Sequence, residues 1–217
     1  MRIGILGGTG KEGAGLAQRW ALGGHEVIIG SRDADRARAK AADLSALAGG
    51  AAIAGMSNLD AAQAAAVVVL TLPSAGLGST LVPLKDACRG KVVISTVVPL
   101  SFGGGRLFTP PPQGSSAEEV QELLGAEARV VAAFHHIAAH ELSATGHDID
   151  CDLLLCGGDA DAKKAVAELG RGMGLRAVDV GALTNAGPLE GITAVLATIN
   201  RRYKLKNSGI KITGLPT

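Results

Sequence analysis

A chain of 217 residues that is 47% hydrophobic and carries a net charge of +1 can bury one sizeable α/β core, and it has no dominant basic surface for nucleic acid or anionic lipid. Aromatic residues make up 2%, too few for the stacking platforms that single-stranded nucleic acids need. Cys88, Cys151 and Cys156 are odd in number and form no C-x-x-C pair, so they read as reduced thiols, and no apolar run is long enough to span a bilayer, which together lead us to expect a cytoplasmic protein.

The run Arg2 to Leu6 predicts a first strand, followed directly by Gly7 to Gly13, GGTGKEG. In a dinucleotide-binding turn of this form, Gly8 makes the sharp bend, Gly10 lets backbone approach a pyrophosphate, and Gly13 lets helix pack on strand. Leu16, Ala17, Trp20 and Ala21 then recur at helical spacing, Gly23-Gly24 ends that helix, and Glu26 to Ile29 form a β-branched second strand. This is a complete βαβ unit, with an anion site expected at the helix amino terminus. The second strand closes on Ser31-Arg32 rather than on an acidic residue. A carboxylate there would accept from a ribose 2′-hydroxyl, whereas Ser31 can donate to a 2′-phosphate and Arg32 can pair with it, so NADP is the expected cofactor. Arg36 lies one helical turn further on and can face the same phosphate, while Arg38 reads as a solvated partner of Asp33 and Asp35.

Further strands are expected at Ala51 to Ala54, Val67 to Leu72, Val92 to Ser95, Val130 to Phe134, Leu153 to Cys156 and Arg176 to Val180, with helical intervals between them. The alternation predicts a Rossmann-type, doubly wound parallel sheet with a small C-terminal helical segment. The continuous run Val67-Val68-Val69-Leu70 suits a strand buried on both faces, and it leads to Leu72 and Pro73 at the edge where such sheets bind ligands. Ser101 to Ser116, with Gly103-Gly104-Gly105 and Pro110-Pro111-Pro112, predicts a long surface loop, either a lid or an idle insertion. Leu189 to Ile199 predicts an apolar helix running into the basic stretch from Arg201 to Lys206. The expected division is an NADP-binding unit over residues 1–181 with a small segment, 182–217, packed on it.

No Tyr-x-x-x-Lys pair, nucleophile elbow or carboxylate dyad is present, and Tyr203 reads as a helix residue packed on the sheet. His135, His136 and His140 form one cluster. His136 and His140 have the i, i+4 spacing of a metal pair, but no glutamate follows His136 in H-E-x-x-H order, and we expect no metal site. His135, just past a strand, is either a cofactor ligand or a satisfied structural histidine.

RIGILGGTG, IIGSRDADRA, VVLTLP, VVPLSF, AAFHHIAAHEL, CDLLLCGGDADAKKAV and the closing INRRYKLKNSGIKITGL together resemble the NADPH:coenzyme F420 oxidoreductases over essentially the whole chain. The resemblance implies hydride transfer between NADP(H) and the 8-hydroxy-5-deazaflavin coenzyme F420. It assigns Thr9, Gly10, Lys11, Glu12, Ser31, Arg32 and Arg36 to NADP, adds Val98 after the fifth strand, and sets the deazaflavin against His135-His136-Ile137-Ala138-Ala139. His135 and Ile137 are then the residues expected at the reacting rings, and a homodimer is implied. This chain departs from commoner forms at His136 and at Gly187-Pro188. Two other readings stand beside it: a non-catalytic NADP-responsive sensor, and an NADPH-dependent reductase of a small carbonyl or imine, for which the histidine cluster would be the proton donor.

Overall fold

In the computed structural model, which describes residues 1–215, the glycine-rich turn leaves β1 (Arg2–Leu6) and enters α1 (Lys11–Leu22). The chain continues through β2 (Glu26–Ser31), α2 (Ala34–Leu47), β3 (Ile53–Ser57), α3 (Asn58–Ala64) and β4 (Val67–Leu70). The short helices α4 (Leu77–Leu81) and α5 (Lys85–Cys88) lead to β5 (Val92–Ser95). After a long loop come α6 (Ser116–Leu124), β6 (Arg129–Ala132), α7 (Ala139–Ser143), β7 (Asp152–Gly157), α8 (Ala160–Arg171), β8 (Arg176–Asp179) and α9 (Ala186–Tyr203). The strands form one sheet in the order β3-β2-β1-β4-β5-β6-β7-β8. Its first six positions are the doubly wound arrangement that the alternating pattern predicts, with the order reversing between β1 and β4.

One pairing departs from the expected all-parallel sheet. β7 runs antiparallel to β6, with Ala132 opposite Cys156, and β8 then follows β7 in parallel. The run Leu153-Leu154-Leu155 is apolar on both sides, so it suits a buried strand in either direction. Because of the reversal, β7 begins beside the carboxyl end of β6, on the ligand edge of the sheet.

The core divides between the two faces of the sheet. Trp20 is 1% exposed, its ring meets Phe134 edge to face at 5.5 Å, and its indole N–H donates to the Leu169 carbonyl at 3.3 Å, so α1 is tied to both β6 and α8. Leu70, Leu77, Leu81, Val93 and Leu154 fill the opposite layer. The caps of α2 and α3 follow from sequence: Asp33 accepts from the Asp35 and Arg36 amides, and Ser57 accepts from the Asp60 amide. Such caps each contribute about 1 kcal/mol.

Residues 101–115 form the expected surface loop, fastened by a single bridge between Leu100 and Phe108. The terminal helix begins earlier and ends later than its apolar pattern suggests, taking in Gly187 and Pro188. Pro188 fits because amides of the first turn have no intrahelical acceptor, and Gly187 fits because a Cβ there would lie 2.8 Å from the Gly114 carbonyl oxygen. Tyr203 is 65% exposed at the end of this helix and is not packed on the sheet, which corrects the expectation. Among the described residues, no helix is long and apolar enough to cross a membrane.

Candidate active site

At the carboxyl edge, where the strand order reverses, a cleft of about 520 Å³ opens over the glycine loop. Gly7, Thr9, Gly10, Ser31, Arg32, Arg36, Leu72 and Pro73 line it, so most of the predicted nucleotide residues converge on one space. The left-handed conformation falls on Gly7 (φ 75°), one residue before Gly8, to which the motif reading gives the sharp bend. Gly8 is fixed by packing, since a Cβ there would lie 2.8 Å from the Ile5 carbonyl oxygen. Gly13 matches its expected role, with a Cβ position 2.7 Å from the Gly8 Cα and from the Thr71 hydroxyl. At Gly10 a Cβ would meet nothing nearer than 3.6 Å. The glycine therefore keeps the approach to the amino terminus of α1 clear.

Arg32 and Arg36 are exposed on the wall of this cleft, and among the described residues neither pairs with a carboxylate. Arg38 instead pairs with Asp35, as the solvated reading has it. Ser31 is buried, and its hydroxyl accepts from the Asp33 amide at 3.2 Å, which leaves the hydroxyl proton free to donate. Thr71 joins Leu72 and Pro73 at this edge, while Asn58, Ser79 and Thr80 also line the cleft and were not anticipated. The Asn58 side-chain Oδ1 accepts from the Gly7 amide at 3.4 Å, bracing the turn from the far side of β2. No motif marks Asn58; its capping Ser57 at the end of a strand is the one signal that places it at this edge.

A second cleft of about 390 Å³ opens beyond the end of β6. Ile137, Ala138, Ile149, Cys151 and Ile210 line it, with Glu141, Asp150 and Lys211 among the charged groups at its rim. Ile137 is 4% exposed, and its amide closes a tight turn to the Phe134 carbonyl at 2.9 Å. Phe134 itself sits at φ 66°, a conformation costing a non-glycine residue on the order of 1–3 kcal/mol, and its ring is held against Trp20. Core packing thus sets the direction of the chain just before His135.

The two histidines separate in role. His136 points its Nε2 at the β7 backbone, 2.9 Å from the Asp152 carbonyl and 3.2 Å from the Leu154 amide, and it lies outside α7. The supposed i, i+4 pair with His140 therefore does not share a helix. His135 is 6% exposed, neither ring nitrogen has a hydrogen-bond partner, and it lines neither cleft. Burial, assisted by His136, pushes its pKa down to about 3. Its carbonyl accepts from the Thr193 hydroxyl at 3.2 Å, joining this turn to α9.

The remaining predicted residues are dispersed. Lys11 is exposed at the first position of α1, Glu12 turns its carboxyl toward Thr96, Val98 is half-buried past β5, and Ala139 opens α7.

The clefts are held in fixed relation. Gly15 of α1 packs on Leu142 of α7, with its Cβ position 2.6 Å from that of Leu142. Arg19 donates to the Glu141, Leu142 and Ala144 carbonyls at 2.8, 3.1 and 2.6 Å. On the far wall, Asp152 receives Arg176 at 2.9 and 2.6 Å and the Ile212 amide at 2.6 Å, so residues 209–212 are tied to β7. Arg176 accordingly holds the Asp152 carboxyl below its ordinary pKa.

Residues 2–99 match a family described as NADP oxidoreductase, coenzyme F420-dependent. The chain is 41% identical to the F420-dependent NADP reductase of Methanothermobacter thermautotrophicus over 223 residues, covering 100% of this chain and 96% of that protein. It is 43% identical to the F420-dependent NADP reductase of Methanocaldococcus jannaschii, covering 99% of each. The chain belongs to the F420-dependent NADP reductase family. A crystal structure from Arthrobacter sp. FB24, provisionally assigned to the same activity, shares 28% identity over 97% of this chain and 98% of that one, with a TM-score of 0.83. The first cleft fits the nucleotide that the family name implies, because it joins an open glycine turn at a helix amino terminus to two uncommitted guanidinium groups.

Proposed function

We propose that this chain transfers a hydride between NADP(H) and coenzyme F420, with the nucleotide in the first cleft and the deazaflavin ring in the second. The observation that carries the reading is likeness to F420-dependent NADP reductases over the full chain at 41% and 43% identity. The sensor reading has no comparable support, and neither does reduction of a small carbonyl or imine, since His135 is buried and neutral and cannot serve as a ready proton donor.

Nicotinamide and deazaflavin are both hydride carriers, so the chemistry they supply when bound is direct transfer between two carbons. What this chain supplies is position. Thr9, Gly10 and the α1 amides hold the pyrophosphate. Ser31, Arg32 and Arg36 hold the 2′-phosphate, and Leu72, Pro73 and Val98 flank the nicotinamide half. Ile137, with Ala138 and Ala139, sets the deazaflavin ring, and His135 supports that turn from beneath. Holding donor and acceptor carbons in reach is worth on the order of 7–11 kcal/mol of barrier. Residues 1–181 act as the nucleotide-binding unit and 182–217 as a segment packed on it. The family likeness implies a homodimer working in the cytoplasm, for which the exposed Val195 and Tyr203 of α9 are available as contacts.

The test is spectroscopic. NADPH mixed with oxidised F420 and the purified protein should lose the deazaflavin absorbance band, and NADH should do so far more slowly. No change in either mixture would overturn the reading.

A further inference from the structure

Glu12 stands at the second position of α1, directly behind the glycine turn, and although the side chain is only half-buried, one of its carboxyl oxygens is turned inward. Oε1 is fully withdrawn from water with no hydrogen-bond partner, and the side chain faces the Thr96 hydroxyl just past the end of β5. In a doubly wound sheet the adenosine half of a dinucleotide lies over β1 to β3 and the nicotinamide half crosses to the β4 and β5 side of the reversal. The carboxyl thus reaches from the phosphate helix to the nicotinamide side. Thr96 can accompany either protonation state of it. Its hydroxyl donates to the Leu70 carbonyl at 3.0 Å, and by rotating can donate to the carboxylate instead.

Resting on the cofactor reading above, we propose that Glu12 distinguishes the two oxidation states of the nicotinamide: its carboxylate favours the positively charged oxidised ring, and its neutral acid accommodates the uncharged reduced ring. The chemical reason is elementary. An oxidised nicotinamide is a pyridinium cation and its reduced form is neutral, so a single charge behind the glycine turn, on the β5 side, discriminates between molecules of nearly identical shape. A carboxyl oxygen withdrawn from water without a partner is otherwise costly, and it is tolerated where a ligand completes it.

The environment places the switch in a useful range. Burial raises the Glu12 pKa to about 7, against the weaker opposing pull of Thr96. Among the described residues no charged side chain opposes or supports it there: Thr96 faces it from just past β5, and Lys11, its neighbour on α1, is exposed. Oxidised NADP should therefore bind with release of a proton, and reduced NADPH with none released.

The experiment is calorimetric titration of the protein with NADP⁺ and with NADPH, each in two buffers of different ionisation enthalpy. The 2′-phosphate titrates in both ligands, so its contribution cancels in the ratio of their dissociation constants. That ratio, Kd(NADP⁺) over Kd(NADPH), should fall by about tenfold from about pH 6 to about pH 8 in the wild type. In Glu12→Gln it should be flat, with both ligands still bound. Glu12→Asp, which keeps the charge, should recover part of the slope. A slope in Glu12→Gln equal to that of the wild type overturns the proposal, as does a flat wild-type ratio. Failure of the wild type to bind either nucleotide would instead overturn the cofactor reading.

Discussion

Arg32 and Arg36 flank one wall of the nucleotide cleft four residues apart, and among the described residues neither guanidinium is spent on a carboxylate. Uncommitted arginines at the end of a second strand are kept for a ligand, and a 2′-phosphate offers the matching geometry. Arg32→Ala combined with Arg36→Ala should weaken NADP by about 1.5–3 kcal/mol for each bond lost while leaving NAD nearly unaffected. Fluorescence titration with both nucleotides checks this. Equal losses for the two would show that these arginines do not read the phosphate.

Gly10 and Gly13 should fail in different ways. Gly10→Val places its side chain into the open approach to α1, so nucleotide binding should vanish while circular dichroism and melting temperature stay close to wild type. Gly13→Ala puts a methyl group 2.7 Å from the Gly8 backbone, so it should lower stability, by about 1–3 kcal/mol, before any effect on binding. Thermal melts beside binding isotherms separate the two, and a stable, binding Gly10→Val would remove the glycine turn from the site.

Ile137→Ala should reduce turnover with NADPH and F420 by as much as about a hundredfold, since a shift of about 1 Å in a stacked ring is enough for such a loss. NADP affinity should remain normal, because the first cleft does not include Ile137. The truncation also removes core volume and can cost about 2–5 kcal/mol of stability. Ile137→Val, costing about 0.5–1.5 kcal/mol, keeps the test readable if the alanine variant is poorly folded. Full turnover in both variants would relocate the deazaflavin.

The sheet edge was legible in sequence because its signals are local. Continuous apolar runs mark β1 and β5 with the boundaries found in the structure, and the glycine spacing with Ser31 and Arg32 marks the nucleotide cleft. What sequence hid is tertiary. Leu153 to Leu155 reads alike in either strand direction, so the reversal of β7 had no signature. Asn58 reaches the cleft from the connection after β3 and Ser79 and Thr80 from α4, and His135 carries the same histidine pattern whether it faces a cofactor or is buried. Ile210 and Lys211 join Ile137 across more than 70 intervening residues, a meeting fixed by the Asp152–Arg176 pair.

His135 should leave a signature in acid. Its native pKa, about 3, lies below that of an unfolded histidine, about 6.5, so between those values the unfolded chain holds a proton that the native one does not. Stability should therefore fall as pH drops through this window, by up to about 1.4 kcal/mol per pH unit, and be free of this effect above it. His135→Phe should flatten that part of the stability curve measured by denaturant unfolding. An unchanged acid slope would mean that His135 is charged in the native protein.

The reversal of β7 determines which part of the chain is available to chemistry. Had the sheet continued in parallel, the residues between Ala132 and Asp152 would have had to return along one face as a crossover helix, shielding strands from water and remote from any ligand. Running backwards, β7 starts where β6 stops, and the same stretch needs only to turn a corner. Freed from that covering duty, it folds over the end of the sheet, where Phe134 anchors it in the core, His136 is bonded to the β7 backbone, and Ile137 and Ala138 line the second cleft.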